Sequence, residues 1–274
     1  MTASVDEVRG RTCLALDLDG VVYVGRHAVP RAQGAVAALR EAGFSVRFAT
    51  NSSASTTEQV ATKLRTLGIE CDADDVVTSA QAAAGQTLLL TGTGSRVLSI
   101  GSAALTSELA DVGLVVTDEP SRADVVVVGL DPLFSYDRLA VALAALRRGV
   151  PLVGCNRDAH FPISGGTSLP GCGPLLAAVE AAAGRRADVI AGKPSPHMLH
   201  ELARRTDTQL DAWFVVGDGV DSDVAMAARA GVPGVLVGPA VDGLEDLASF
   251  VDRLLETLGR SSDRAPTGSL PESP

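Results

Sequence analysis

Aromatic side chains are scarce in this chain of 274 residues, which has one Trp, two Tyr and six Phe. Its cores must therefore be built from Ala, Val and Leu, and few rings are left to stack a nucleobase. Positive charge is also in deficit. The 23 Lys and Arg against 33 Asp and Glu leave a net charge of −10, which argues against a nucleic-acid binder or a protein held to anionic membranes. An anionic substrate is still compatible, because local groups in a site can outweigh the global field. Cysteine is sparse: Cys13, Cys71, Cys155 and Cys172 are widely separated, with no CxxC pair. This favours reduced thiols over a disulfide framework or a thiolate zinc site. Long apolar runs are absent, since stretches such as Val125–Val128 are far too short to span a bilayer. Val5–Arg11 is charged, unlike a secretory signal, so a cytoplasmic location is expected.

The most informative stretch is Thr12–Tyr23, TCLALDLDGVVY. Cys13–Asp17 has the apolar character of a short strand buried on both faces. It ends in Asp17 and Asp19, two residues apart. Alternation along extended backbone aims both carboxylates the same way, out of the carboxyl end of the strand, where open α/β sheets bind ligands. Such neighbours repel unless a cation or a proton lies between them.

Strand and helix patterns then alternate, the mark of an α/β chain with parallel sheet. Ala32–Ala42 reads as a helix, and Ser45–Ala49 as a strand ending in Thr50-Asn51-Ser52-Ser53. A long helix follows to Leu67, with Ser55 and Glu58 spaced as a capping box. Ser79–Leu90 is an Ala-rich helix. Arg96–Ile100, Asp124–Gly129 and Val150–Gly154 read as strands, and Asp137–Arg148 and Pro174–Ala183 as helices. Asp188–Ala191 and Ala212–Val216 resume the buried-strand style and lead into Gly192-Lys193 and Gly217-Asp218. Glu245–Leu258 is an amphipathic closing helix, and 261–274, rich in Ser and Pro without apolar periodicity, reads as a disordered tail.

Four strand ends carry chemistry. Asp17 and Asp19 stand on the first. Thr50 on the second offers a hydroxyl beside a helix start, suited to an anion. Lys193 follows the third as a compact cation. Asp218 and Asp223 follow the fourth. Three acids in one crevice suit a hard cation such as Mg2+, and a carboxylate nucleophile with a phosphate cradle suits phosphoryl transfer through an aspartyl phosphate.

With Asp17-Leu-Asp-Gly20, Thr50, Lys193 and Gly217-Asp218…Asp223 in this order, the chain resembles the haloacid dehalogenase-like phosphatase superfamily. It looks most like the subfamily of phosphoglycolate, glycerol-phosphate and 4-nitrophenyl-phosphate phosphatases. The likeness extends to Thr50-Asn51-Ser52, Cys155-Asn-Arg-Asp158, Pro170-Gly-Cys-Gly173 and Gly192-Lys-Pro-Ser-Pro196. It implies a Rossmann-like, doubly wound parallel core sheet with a large inserted α/β cap domain. The core would be 1–80 and 186–260, with the cap at 81–185 over the active site. The activity implied is Mg2+-dependent hydrolysis of a small phosphate monoester, with glycerol phosphate or phosphoglycolate leading. Asp17 would be the nucleophile and Asp19 the general acid and base. Thr50, Asn51 and Lys193 would hold the phosphoryl group. Asp17, Asp218 and the backbone carbonyl of Asp19 would ligate Mg2+, with Asp223 orienting a metal-bound water or Lys193. Ser52, Asn156, Arg157 and Asp158 are further substrate-binding candidates, and a homodimer through the cap is expected. The chain departs from the family in having Gly219-Val220 after Asp218, where a bulky polar residue is usual, and Ser222 before Asp223.

Other readings are weaker. Gly92-Thr-Gly94 precedes a strand, so it is no dinucleotide fingerprint. His197 and His200 read as surface residues, and Asp218–Asp223 lacks the glycine and the last Glu of a calcium loop. A non-turnover phospho-aspartate switch shares the acids, Thr and Lys, but Asp19 and the large insertion oppose it. A phosphatase of nucleotides or of pyridoxal phosphate is the other alternative.

Overall fold

The computed structural model describes residues 2–163 and 167–262. In chain order its first elements are β1 (Cys13–Leu16), the hairpin β2 (Tyr23–Val24) and β3 (His27–Ala28), α1 (Ala32–Glu41), β4 (Ser45–Thr50), α2 (Thr57–Thr66), β5 (Val76–Thr78) and α3 (Ser79–Thr91). There follow β6 (Arg96–Ile100), α4 (Ala103–Asp111), β7 (Val115–Val116), β8 (Val125–Val128), α5 (Tyr136–Leu146) and β9 (Leu152–Gly154). The chain continues through β10 (His160–Pro162), β11 (Ser168–Pro170), α6 (Cys172–Ala183), β12 (Val189–Ile190), α7 (His197–Arg205), β13 (Trp213–Gly217), α8 (Ala225–Ala230), β14 (Gly234–Leu236) and α9 (Leu247–Ser262).

These strands form two five-stranded parallel sheets, ordered β14-β13-β1-β4-β5 and β12-β9-β8-β6-β7. Alternation along β1 divides the first sheet's interior in two. Leu14 and Leu16 face a cluster with Phe48, Phe214, Phe250 and Leu254. Cys13 and Ala15 face the other side, with Leu199, Leu202, Trp213 and Met226. That second cluster runs on through Val125, Val127 and Val153 of the second sheet and Leu105 of α4, so the two α/β units share an apolar seam. The far face of the second sheet is closed by Leu98, Val126, Val128, Leu152 and Leu176. Burying several such side chains, each worth about 1.5–3 kcal/mol, locks the units together.

Several sequence expectations shift. Val189–Ile190 pairs with β9, so it is an edge strand of the second sheet and not the core strand read from its apolar character. The second unit thus reaches past residue 185. α3 lies in the seam, packing against both α4 and α7. The capping box is Thr56 with Gln59, one residue beyond Ser55 and Glu58; Thr56 Oγ1 accepts from the Gln59 N–H at 3.2 Å. Residues 261 and 262 extend α9, and the rest of the expected tail lies outside the described residues.

Candidate active site

Parallel pairing of β1 between β13 and β4 puts three carboxyl ends side by side. Asp17, Asp218 and Thr50 stand there because each is at, or one past, the end of its strand. Asp17 is 7% exposed, and its N–H bonds the Val216 carbonyl at 2.9 Å, continuing the ladder of β1. Gly20 has φ +91°, and a side chain there would collide with Asp218 Oδ2; this approach of two loops is open only to glycine.

Lys193 reaches the centre from the loop after β12. Its buried ammonium donates to Asp17 Oδ1 and, at 2.6 Å, to Asp223 Oδ1. Burial pulls its pKa down, but the Asp17 and Asp223 carboxylates outweigh that and hold it charged. Asp223 sits in a π-helical turn over Val220–Val224. Its Oδ2 accepts from the Gly219 N–H at 3.1 Å and the Ser222 hydroxyl at 3.0 Å. The departure at Gly219 therefore has a local reason: a side chain there would strike Ser222 Oγ. Ser222 and the bare Gly219 N–H together fix Asp223.

Oxygens of Asp17, Asp218 and Asp223 lie within 4.8 Å of one another. Burial raises the pKa of Asp17 well above normal, and Asp223 and Asp218 push it the same way against Lys193. Asp218, although exposed toward the cavity, is raised by its partial loss of hydration and then by Asp223, and Asp19 is raised by burial. Four carboxylates against two ammoniums, Lys193 at the centre and Lys63 in the cavity wall, are still short of positive charge, and every donor is a hard oxygen. This environment fits Mg2+. Both Asp223 oxygens are already occupied by protein donors. Asp17 and Asp218 would therefore hold the ion, while Asp223 orients Lys193.

Thr50 is buried at the end of β4, and its Oγ1 accepts from the Ser52 N–H at 3.1 Å. Asn51 is the hub that ties the two units together. Its Nδ2 donates to Asp158 Oδ1 at 3.0 Å and to the Lys193 carbonyl at 3.3 Å; its Oδ1 accepts from the Lys193 N–H at 2.8 Å. Its carbonyl accepts from Ser79 Oγ at 2.7 Å and Asn156 Nδ2 at 2.6 Å.

These groups line a cavity of about 690 Å³, roofed by Leu130, Asn156, Asp158, His160, Phe161 and Ile163 of the second unit. Ser52 lines it too. Arg157 does not. Its guanidinium turns away and grips buried Glu180 at 3.0 and 2.6 Å, so as a substrate-binding candidate it is displaced by a structural ion pair. Asn156 is spent on backbone: besides the Asn51 carbonyl, its Oδ1 accepts from the Asp158 N–H at 3.0 Å. Of the three, Asp158 is the one whose carboxyl serves the cavity, raised in pKa by burial against the Asn51 bond. Sequence reasoning missed Tyr23, Gln59, Lys63, His160 and Phe161 in the lining. The i, i+4 spacing of Gln59 and Lys63, opposite buried Ala61 and Leu64, was the available signal.

Comparison with known proteins agrees with this geometry. A family model for haloacid dehalogenase-like hydrolases matches residues 14–115, and a second, HAD-hydrolase-like, matches 190–259. The D-glycerol 3-phosphate phosphatase of Mycobacterium tuberculosis is 39% identical over 235 residues, 85% of this chain; the chain spans 65% of that relative's length. The acid sugar phosphatase of Staphylococcus aureus is 32% identical over 85% of this chain and 88% of its own. A crystal structure of the M. tuberculosis glycerol phosphate phosphatase in complex with magnesium superposes with a TM-score of 0.78 at 36% identity, covering 86% of this chain and 71% of that one. The 4-nitrophenylphosphatase of Thermotoga maritima gives 0.81 at 27% identity, covering 91% and 99%.

Proposed function

The chain belongs to the haloacid dehalogenase-like hydrolases, and from that premise we propose that it is a Mg2+-dependent phosphatase of small, polar phosphate monoesters. The observation that carries this reading is Asp17 held by Lys193 at the floor of a roofed cavity, with Asp19 and Asp218 beside it. We take 1–80 and the chain from Ala191 to 260 as the core, and the second unit, which runs from 81 through Val189–Ile190, as its cap.

An oxygen of Asp17 attacks phosphorus in line with the ester oxygen, whose bond breaks as the acyl phosphate forms. Asp19 gives its proton to the departing alcohol, then takes one from the water that attacks phosphorus. Phosphate leaves, and the Asp17 carboxylate is restored. Lys193 has three N–H donors and spends two on Asp17 and Asp223, so its third is available to the phosphoryl group alongside the Thr50 hydroxyl. Bound between Asp17 and Asp218, Mg2+ would neutralise charge on the phosphoryl oxygens. The cap excludes water and leaves Asp158 facing the leaving group.

Phosphate release from a panel of phosphate esters, with and without excess chelator, tests the assignment. Repeated turnover that chelation abolishes is expected; one phosphate retained per chain, or full activity in chelator, defeats it. A cytoplasmic setting accords with four cysteines that are all free and buried. Pairing of two copies through the cap is the assembly we expect, with Leu133 and Tyr136, 75% and 84% exposed, as its candidate contact; light scattering decides it. We expect no nucleic-acid or membrane partner, given the net charge of −10 and, among the described residues, no helix long and apolar enough to cross a bilayer.

A further inference from the structure

Lys63 is unused in the mechanism above, yet it lines the catalytic cavity from α2. Its Nζ rests 3.1 Å from the centroid of the Tyr23 ring, another part of the lining. An ammonium on an aromatic face is steadied there but keeps its N–H donors. Among the described residues Lys63 has neither a hydrogen bond nor an ion pair. Burial pulls its pKa down, with Asp19 opposing. The half-buried ammonium has thus given up water without gaining a carboxylate in contact. Gln59 stands one turn earlier on the same face of α2 and lines the same cavity. Its Oε1 accepts from the Thr56 N–H at 3.0 Å, which leaves its Nε2 donors without a partner among the described residues. This wall therefore offers donors. The roof offers the converse, since Asp158 Oδ1 accepts from Asn51 Nδ2 at 3.0 Å while Oδ2 has no protein donor among the described residues.

We infer that Lys63, with Gln59 beside it, is a specificity-determining residue that donates to a hydroxyl oxygen of the leaving group, so that the substrate class is a phosphate monoester of a polyol. The inference deepens the phosphatase reading and rests on it. In that reading the phosphoryl group meets Lys193 and the Thr50 hydroxyl at the floor, which leaves Lys63 for the part of the substrate beyond the ester oxygen. Hydroxyls suit both surfaces, because they accept from the ammonium and donate to Asp158. An alkyl group would leave the ammonium unpartnered and out of water. A carboxylate would pair with Lys63 but add a third acid to Asp19 and Asp158.

The test is kcat/KM, measured with Mg2+, on glycerol phosphate, propyl phosphate and phosphoglycolate. Propyl phosphate has the carbon count of glycerol phosphate and a similar alkyl leaving oxygen, but no hydroxyl. Any effect that Lys63 exerts through Asp19 is therefore common to the two and cancels in their ratio. Lys63→Met should shrink the preference for glycerol phosphate over propyl phosphate by about tenfold or more, chiefly through KM, the scale of one hydrogen bond to a charged group. Lys63→Arg should keep most of the preference, and Gln59→Leu should shrink it by a smaller factor. Thermal melting checks that each variant is folded. If Lys63→Met is not, the shorter, uncharged Lys63→Gln takes its place and should lose the preference as well. An unmoved ratio in the folded variant, with both esters losing equally, overturns the inference. So does a loss confined to phosphoglycolate, which would make the ammonium a seat for a carboxylate. If the wild type releases phosphate from none of a broad panel of esters, the phosphatase reading falls and takes the inference with it; turnover of the panel with an unmoved ratio defeats the inference alone.

Discussion

Asp17 and Asp19 are adjacent in role but not in surroundings, and their substitutions should differ accordingly. Asp17→Asn removes the nucleophile and should eliminate turnover while the fold persists, as judged by circular dichroism. Asp19→Asn should cost about 10²–10⁴ on alkyl phosphates and much less on nitrophenyl phosphate. Both residues were legible in the sequence because two-residue alternation after a buried strand leaves little choice of direction. Arg157 was not legible. Its neighbours Asn156 and Asp158 do face the catalytic loops, but its length lets it reach Glu180, twenty-three positions on, and local sequence does not show that partner. Glu180 also accepts from Arg186 at 2.9 Å and from the Ala187 N–H at 2.8 Å. Led by the Arg157 bond, these donors lower its pKa from 4.5 to about 2. A carboxyl depressed in the folded state stabilises above its unfolded pKa and loses that contribution as pH falls through the folded one. The window is therefore pH 4.5 down to about 2, and the contribution is on the order of 2–3 kcal/mol. Arg157→Ala should lower cap stability by about 1–3 kcal/mol and move the acid limb of a melting-temperature profile to higher pH. Its effect on kcat/KM should be alike for every ester, which separates a structural arginine from one that touches substrate.

At the scale of elements, the segment from Thr50 to α2 is where the two units meet. The cap's Ser102 hydroxyl donates to the Ser53 carbonyl at 3.1 Å, and the Leu130 N–H donates to Ser53 Oγ at 2.8 Å. Buried Glu108 of α4 accepts from the Thr57 N–H at 3.0 Å, capping the first turn of α2 from across the seam. This long-range cap is invisible in sequence, whereas the local box of Thr56 and Gln59 was missed by only one residue. Removing the acceptor with Glu108→Ala should destabilise the protein by about 1–2 kcal/mol and lower kcat through the loop that bears Thr50 and Asn51. Glu108→Gln keeps an acceptor and should recover most of both; thermal melts and steady-state kinetics on the two variants check this. Strand order was harder to read than strand existence. Val189–Ile190 is apolar wherever it pairs, and a two-residue strand carries no periodicity to say which sheet it joins. Lys193 still arrives at the centre because the loop after it is tied to Asn51 and Cys155, the Gly192 N–H bonding the Cys155 carbonyl at 2.6 Å.

The choice of substrate belongs to the whole molecule, since floor and roof of the cavity come from different units. A volume of about 690 Å³ would hold more than a three-carbon phosphate, so exclusion must come from chemistry as well as size. Two rings, Tyr23 and Phe161, and one imidazole, His160, line it, but the Tyr23 face is taken by Lys63. A flat base or pyridine thus finds at most one free ring, which disfavours nucleotides and pyridoxal phosphate. On the side we assign to the leaving group stand two carboxyls, Asp19 and Asp158, both raised in pKa chiefly by burial, with Asp19 raising Asp158 further as a like charge. A hydroxyl on the leaving group can donate to Asp158, whereas a carboxylate there would add a third acid. Glycerol phosphate should therefore be preferred over phosphoglycolate, and both over nucleotides, when kcat/KM is compared across one panel. Asp158→Asn keeps the bond to Asn51 through its amide oxygen but removes the charge. It should lower kcat/KM on glycerol phosphate, raise it relative to wild type on phosphoglycolate, and leave nitrophenyl phosphate nearly unchanged. A pocket that hydrogen-bonds a substrate hydroxyl can discriminate by up to about 10⁴, and one open to solvent by far less. If Asp158→Asn moves all three substrates together, Asp158 serves only to hold Asn51, and the preference for a polyol must be sought elsewhere in the roof.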